Sequence, residues 1–211
     1  MCQILSLVDL CRGHTVYIQT HNYPDPDAIA SAFGLQTLLA RQGVPSTLCY
    51  EGRIDKLSAS RMLGAFGIRM VPYDQLREAM RPQDYIICVD AQKLSGNITD
   101  FTGDEVACID HHPVFVPVEY RYRDIRQTGA CSTLIAGYFR DLGLDPDPDT
   151  AAALLYGLKM DTLQFTRGVT EADIEMFEFL FRFCDREKLA RLERHNLEFR
   201  DLKAYGAASA N

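Results

Sequence analysis

Between residues 20 and 31 the chain reads THNYPDPDAIAS, which sets His21, Asp25 and Asp27 within seven residues. More acids and imidazoles follow at the ends of apolar runs. Asp90 closes YIICV, and Asp110, His111 and His112 close VACI. Asp161 stands in YGLKMDT. The seven cysteines are scattered and form no CxxC pair, so neither a disulfide framework nor a thiolate zinc site is expected. Imidazole and carboxylate without thiolate suit a harder cation than structural zinc, manganese most naturally, with magnesium, cobalt or zinc left open. So many ligands exceed one ion's needs. They fit two ions roughly 3.5–4 Å apart that share a carboxylate, an arrangement used in phosphoester hydrolysis.

Each residue also has a plain local reading. Asp25 before Pro26 fits an N-cap with proline at the first helical position, and Asp27 suits the first turn of a helix. Asp90 fits a turn, the His pair a polar loop, and Asp161 a loop just past a helix. What separates the readings is whether the elements bring these groups together.

The elements are legible from periodicity. Helical spacing is expected over 3–11, from Asp27 to Gly43, over 54–66 and over 73–80. Ser132 or Thr133 is placed to cap a helix running to Leu142. The turn DPDPD at 145–149 opens another through Leu158, and 171–183 and 186–204 complete the set. Strands are expected at 15–20, 47–50, 68–71, 85–89, 106–109 and 120–124. The last of these alternates Tyr and Arg as an exposed edge would. Continuous apolar runs such as YIICV suit a parallel strand buried on both faces. Strands alternating with helices imply an α/β fold: a mostly parallel sheet with helices on both faces. Ligands bind beyond the carboxyl ends of such strands. His21, Asp25 and Asp27, then Asp90, then Asp110, His111 and His112 all follow strands, so they gather along one edge. Clustered carboxylates repel, and a bound cation is the simple remedy.

Composition narrows the function classes. With 211 residues, 47% hydrophobic and 24% charged, the chain is an ordinary globule. No run reaches the roughly 18 apolar residues of a membrane span. A start with Asp9 and no basic leader reads as an amphipathic helix and not a signal peptide, and a reducing cytoplasm is the expected location. A net charge of −7 argues against gripping long duplex nucleic acid, but not against a short phosphorylated substrate held by cations.

HNYPDPDA, the strand ending in Asp90, DHH at 110–112, and GACST followed by Asp161 occur in the order of the four motifs of the DHH phosphoesterase superfamily. The chain resembles that superfamily over about residues 15–200, with the oligoribonuclease and 3′-phosphoadenosine 5′-phosphate phosphatase branch the nearest likeness. The resemblance implies a doubly wound DHH domain and a division of labour. His21 and Asp25 would hold one Mn²⁺, and Asp27, His111 and Asp161 a second. Asp90 would bridge them, His112 would face the phosphate, and Asp110 would orient a histidine. It implies a manganese-dependent phosphoesterase acting on short oligonucleotides or phosphorylated nucleotides, with a homodimer as a permitted assembly. A pyrophosphatase or exopolyphosphatase of the same superfamily, or a non-catalytic nucleotide-binding module, are the alternatives.

Arg167 and Ser132 are candidate substrate contacts, Ser132 through the helix start at 129–133. Arg121, Arg123 and Arg126 either grip phosphate or keep an edge strand soluble. His14 and His195 have no assigned partners. Superfamily members usually carry a smaller substrate-binding domain after a linker helix. Nothing after Asp201 encodes one, so the expected layout is a catalytic domain at 1–185 and a linker helix with tail at 186–211. Such a chain is a fragment, or works alone or through a partner.

Overall fold

The computed structural model describes residues 3–194. Six strands form one all-parallel sheet: β1 (Val16–Gln19), β2 (Ser46–Tyr50), β3 (Met70–Pro72), β4 (Tyr85–Val89), β5 (Asp104–Asp110) and β6 (Tyr122–Ile125). Their order is β3-β2-β1-β4-β5-β6. The chain starts in the middle, builds outward one way, then returns and builds the other way. The order therefore reverses between β1 and β4, and a crevice opens there beyond the carboxyl ends of the strands.

The helices are α1 (Ile4–Cys11), α2 (Pro26–Arg41), α3 (Leu57–Phe66), α4 (Tyr73–Leu76), α5 (Cys131–Asp141), α6 (Pro148–Asp161), α7 (Glu171–Phe181) and α8 (Arg186–Glu193). Their cover is uneven. Val16, Ile18, Ile87, Val89, Ala107 and Ile109 point into a large core shared with α1, α2, α3 and α5 to α8. Tyr17, Ile86, Cys88 and Cys108 point the other way, into a smaller core closed by Tyr73, Met80 and Phe101. The cysteines among the described residues are buried and unpaired, as small apolar residues are.

Helices α2 and α6 pack antiparallel at very short range. Thr37 Oγ1 meets Thr150 Oγ1 at 3.3 Å at one end of the contact. A Cβ on Gly34 would come within 2.8 Å of Leu154 Cδ2, and one on Gly157 within 2.7 Å of Ala30 Cβ and 3.2 Å of Asp27 Cα. At Gly157, where the neighbours are a Cβ and a Cα, only glycine permits this approach. It brings the first turn of α2, which carries Asp27, beside the last turn of α6, which carries Asp161.

Several expectations shift. The helix expected over 73–80 is the single turn α4; Tyr73 and Met80 are buried in the smaller core and Leu76 packs against it. The strand near 68–71 is Met70–Pro72, and the edge strand is Tyr122–Ile125 with Tyr122 and Asp124 buried. Ser132 is not a cap: Ala130 holds the N-cap position of α5 with no side-chain cap bond. Asp161 is not beyond a helix but is the last residue of α6. Thr162 is its C-cap, with its hydroxyl donating to the Leu158 carbonyl at 2.6 Å, and the left-handed backbone at Leu163, Gln164 and Phe165 then ends the helix. Of the helix expected over 186–204, Arg186–Glu193 is α8; the remainder, the tail and His195 lie outside the described residues. Among the described residues no helix is long and apolar enough to cross a membrane.

Candidate metal centre

The loop after β1 delivers His21 and Asp25. Asp25 is the N-cap of α2, and its Oδ1 accepts from Asp27 N at 3.0 Å and Ala28 N at 3.1 Å. The capping reading is therefore correct, and the cap fixes the carboxylate that faces His21 Nε2 at 3.8 Å. Asp27, in the first turn of the helix, is 1% exposed and caps a different helix. Its Oδ2 accepts from Cys131 N at 2.7 Å and its Oδ1 from Ser132 N at 3.0 Å, with the Ser132 hydroxyl also donating to Oδ1. The first amides of α5, orphaned in any helix, are satisfied by a carboxylate from 104 residues earlier.

Asp90 follows β4 directly, with its backbone in the left-handed region, φ 58°, an uncommon conformation that Asp tolerates better than most residues. Its amide still pairs with Ile109 O at 2.9 Å. The turn aims the two oxygens at different histidines: Oδ2 lies 3.7 Å from His21 Nε2, and Oδ1 3.3 Å from His111 Nε2. His111 Nε2 is also 3.4 Å from Asp161 Oδ2 and 4.0 Å from Asp27 Oδ2.

Both histidines turn Nε2 inward because Nδ1 is occupied. His21 Nδ1–H donates to Asn22 O at 2.8 Å, and His111 Nδ1–H to Thr128 O at 2.9 Å. That bond fixes the tautomer and leaves Nε2 as the free donor atom, the usual support of a metal-ligating histidine. His112 is held the other way round. Its Nδ1 bonds Asp110 Oδ1 at 2.9 Å and its half-exposed ring faces outward. Asp110 is fixed in turn by Gln92, whose Nε2 donates to Asp110 Oδ2 at 2.7 Å and to His112 O at 3.1 Å.

The ligand-type atoms fall into trios within 4.8 Å: His21, Asp25 and Asp90; and Asp27, His111 and Asp161. Asp90 also groups with Asp110, His111 and His112. Two observations test whether the donors fit a cation. Asp90 Oδ1 is buried and has no hydrogen-bond partner, a costly state for a carboxylate oxygen. The protonation equilibria are also distorted as expected where positive charge is in demand. Burial opposes a charged His21 and a charged His111. Even so, the Asp25 and Asp90 carboxylates carry His21 up to about 9, and Asp90 and Asp27 carry His111 to about 10. Burial, then the Asp90 charge, push Asp27 up to about 8, and burial raises Asp90 as well. The donor set fits divalent cations.

Other expected contacts fall elsewhere. Ser132 is fully buried behind Asp27, its hydroxyl committed there, so it does not line a surface a substrate could touch. Arg167 is exposed and pairs with Asp161, donating to Oδ1 at 3.1 Å and to the backbone carbonyl. Arg121 pairs with Asp104 and Arg126 with Asp124, which commits both away from the cluster. His14 stacks on Tyr85, ring centroids 3.7 Å apart. Sequence reasoning missed Asp173, fully buried on α7. It accepts from Gly129 N at 2.8 Å and from Thr170 N and Oγ1, and so anchors the loop whose carbonyl at Thr128 orients His111. The TEAD spacing at 170–173, a capping box, was its only trace.

A parallel sheet whose carboxyl edge gathers two histidine–carboxylate trios around one shared aspartate defines an α/β protein with a divalent-cation ligand set. Residues 15–158 match the model of the DHH family, N-terminal domain, and the chain belongs to that family. It is 29% identical over 211 residues to an uncharacterized protein of Methanocaldococcus jannaschii, covering 100% of this chain and 43% of that one. It is 27% identical over 188 residues to a "Probable manganese-dependent inorganic pyrophosphatase" of Streptococcus thermophilus, covering 87% of this chain and 57% of the relative. The crystal structure of an exopolyphosphatase-related protein from Bacteroides fragilis superposes with a TM-score of 0.78 at 20% identity, over 99% of this chain and 64% of that one, and supports the fold. The chain spans about half the length of the curated relatives it matches.

Proposed function

We propose that this chain hydrolyses phosphoester or phosphoanhydride bonds of small phosphorylated substrates with the help of divalent cations, manganese first among them. The observation that carries this reading is the split of the Asp90 carboxylate between His21 and His111, which joins the two ligand trios into one centre. His21 and Asp25 would hold one cation, Asp27, His111 and Asp161 the other, and Asp90 both. Bound there, the cations would act as Lewis acids toward the phosphate and lower the pKa of the attacking water.

The chain's own residues supply the rest. Asp110 takes the Nδ1–H of His112, so the other ring nitrogen points to solvent at the mouth of the cluster. The Asp110 hydrogen bond also raises the His112 pKa and favours a proton on that nitrogen, which makes it a donor to a non-bridging phosphate oxygen. The net reaction consumes one water. A new O–P bond forms, the P–O bond to the leaving group breaks, and the departing oxygen gains a proton.

The substrate reading is a short oligonucleotide or a phosphorylated nucleotide such as 3′-phosphoadenosine 5′-phosphate. The relatives named for pyrophosphate and polyphosphate favour a second reading with an inorganic substrate. Assaying phosphate release by the manganese-loaded chain from short RNA, 3′-phosphoadenosine 5′-phosphate, pyrophosphate and polyphosphate separates the two. Turnover of none of them, by a chain shown to bind manganese, refutes the hydrolase.

A further inference from the structure

A cavity of about 130 Å³ opens beside the cluster and shares Asp110 and His112 with it. We infer that this cavity is the subsite for a flat, uncharged ring attached through its sugar to the phosphate, a nucleobase, with Phe115 as the stacking face. This rests on the phosphate-hydrolase reading for the phosphate end alone.

The chemistry of the walls carries the argument. One side is apolar: Ala91, Pro113 and Phe115. The Phe115 ring is 82% exposed, the most exposed large apolar side chain among the described residues, and it stands directly on the wall of a concave site. Gln92, Ser95 and Asn97 add neutral polar groups to the lining; the Ser95 hydroxyl donates to Asn97 Oδ1, which leaves the Asn97 Nδ2 amide to meet the edge of a base. No lysine or arginine lines the cavity, and the titratable groups that do are Asp110 and His112, already paired with each other. A second or third phosphate placed here would be desolvated without a cationic partner. An aromatic base would find a ring to stack on and edge groups to bond.

The walls are also fixed in advance. Asn22 N donates to Asn97 O at 2.7 Å, and the Asn22 side chain exchanges hydrogen bonds with Thr99 N and Oγ1. Tyr120 OH accepts from Lys93 N at 2.8 Å, and Gln92 ties the opposite end to Asp110 and His112. The loop at 91–99 is therefore tied to the loop that carries His21, so base and phosphate would be presented in fixed register.

The test needs neither cation nor turnover. Adenosine is titrated into the metal-free, isotope-labelled chain and followed by amide chemical shifts, with pyrophosphate as the parallel probe. The expected result is movement of Ser95, Asn97 and Phe115 with adenosine and not with pyrophosphate. In Phe115→Ala, adenosine affinity falls roughly tenfold, the scale of one lost stacking contact. Residues 95, 97 and 115 unmoved by adenosine, or moved equally by pyrophosphate, overturn the inference, as does wild-type affinity in Phe115→Ala. A chain that binds adenosine here yet hydrolyses nothing keeps the subsite and loses the hydrolase. One that hydrolyses pyrophosphate and ignores adenosine does the reverse.

Discussion

Asp90 Oδ1 and His111 Nε2 lie 3.3 Å apart, yet that oxygen makes no hydrogen bond. Two buried polar atoms at that separation and out of alignment are placed for a third party between them. Replacing Asp90 with Asn keeps the shape and removes the charge shared by the two trios. Manganese affinity, measured by calorimetry, should fall by well over the roughly 10–100-fold typical of a lost supporting residue. The metal-free fold should persist by circular dichroism, because Asn keeps the side-chain shape and the residue 90 amide still pairs with Ile109 O. Unchanged manganese affinity in Asp90→Asn would falsify the shared-ligand scheme.

Ser132 separates a supporting role from substrate contact. Its hydroxyl and amide both serve Asp27. Ser132→Ala should weaken manganese binding roughly tenfold while KM at saturating manganese stays near wild type. A raised KM with unaltered manganese affinity would restore it as a substrate contact.

Gly157→Ala should reverse the usual sign. Alanine in a helix normally gains roughly 0.5–1 kcal/mol over glycine. Here a Cβ would meet Ser132 Oγ at 2.5 Å and Ala30 Cβ at 2.7 Å. Overpacking of this kind costs roughly 1–3 kcal/mol, and denaturant melts should show a net loss. Manganese affinity should drop with it, since α6 moves off Asp27.

Asp147 tests a cap by pH. It caps α6, accepting from Thr150 N at 3.0 Å and Thr150 Oγ1 at 2.7 Å. Burial opposes ionisation, but these bonds win and hold its pKa below the usual carboxylate value. A depressed folded pKa means the contribution is present above the unfolded value and is lost as pH falls through the folded one. Asp147→Ala should cost about 1 kcal/mol at pH 7. The gap from wild type should narrow as pH drops below about 4, as read from urea melts at both pH values.

The core of the centre was legible because strand ends in a parallel sheet converge whatever their separation in sequence. HNYPDPDA, Asp90 and DHH each follow an apolar run, and that sufficed to gather them. Asp161 was harder: its place depends on how near α6 lies to α2, and that is set by Gly34 and Gly157, which in sequence look like ordinary weak points of helices. Ser132 was misassigned because a serine at a helix start reads as its own cap. Nothing local says that the cap arrives from Asp27. The uneven cover of the sheet was likewise hidden, since alternation in β1 and β4 shows two buried faces but not what buries each.

That borrowed cap bears on how the chain would hold a divalent cation. Asp27 is held by two amides and a hydroxyl of α5, Asp25 by the first turn of α2, and the histidines by carbonyls of Asn22 and Thr128. None of these restraints passes through an ion, unlike those of zinc-finger folds that collapse when stripped. The centre is thus a socket and not a rivet. On the proposed metal reading, one cation would leave and another take its place without the chain refolding, and the resident metal would follow the supply of manganese, magnesium or cobalt around the protein.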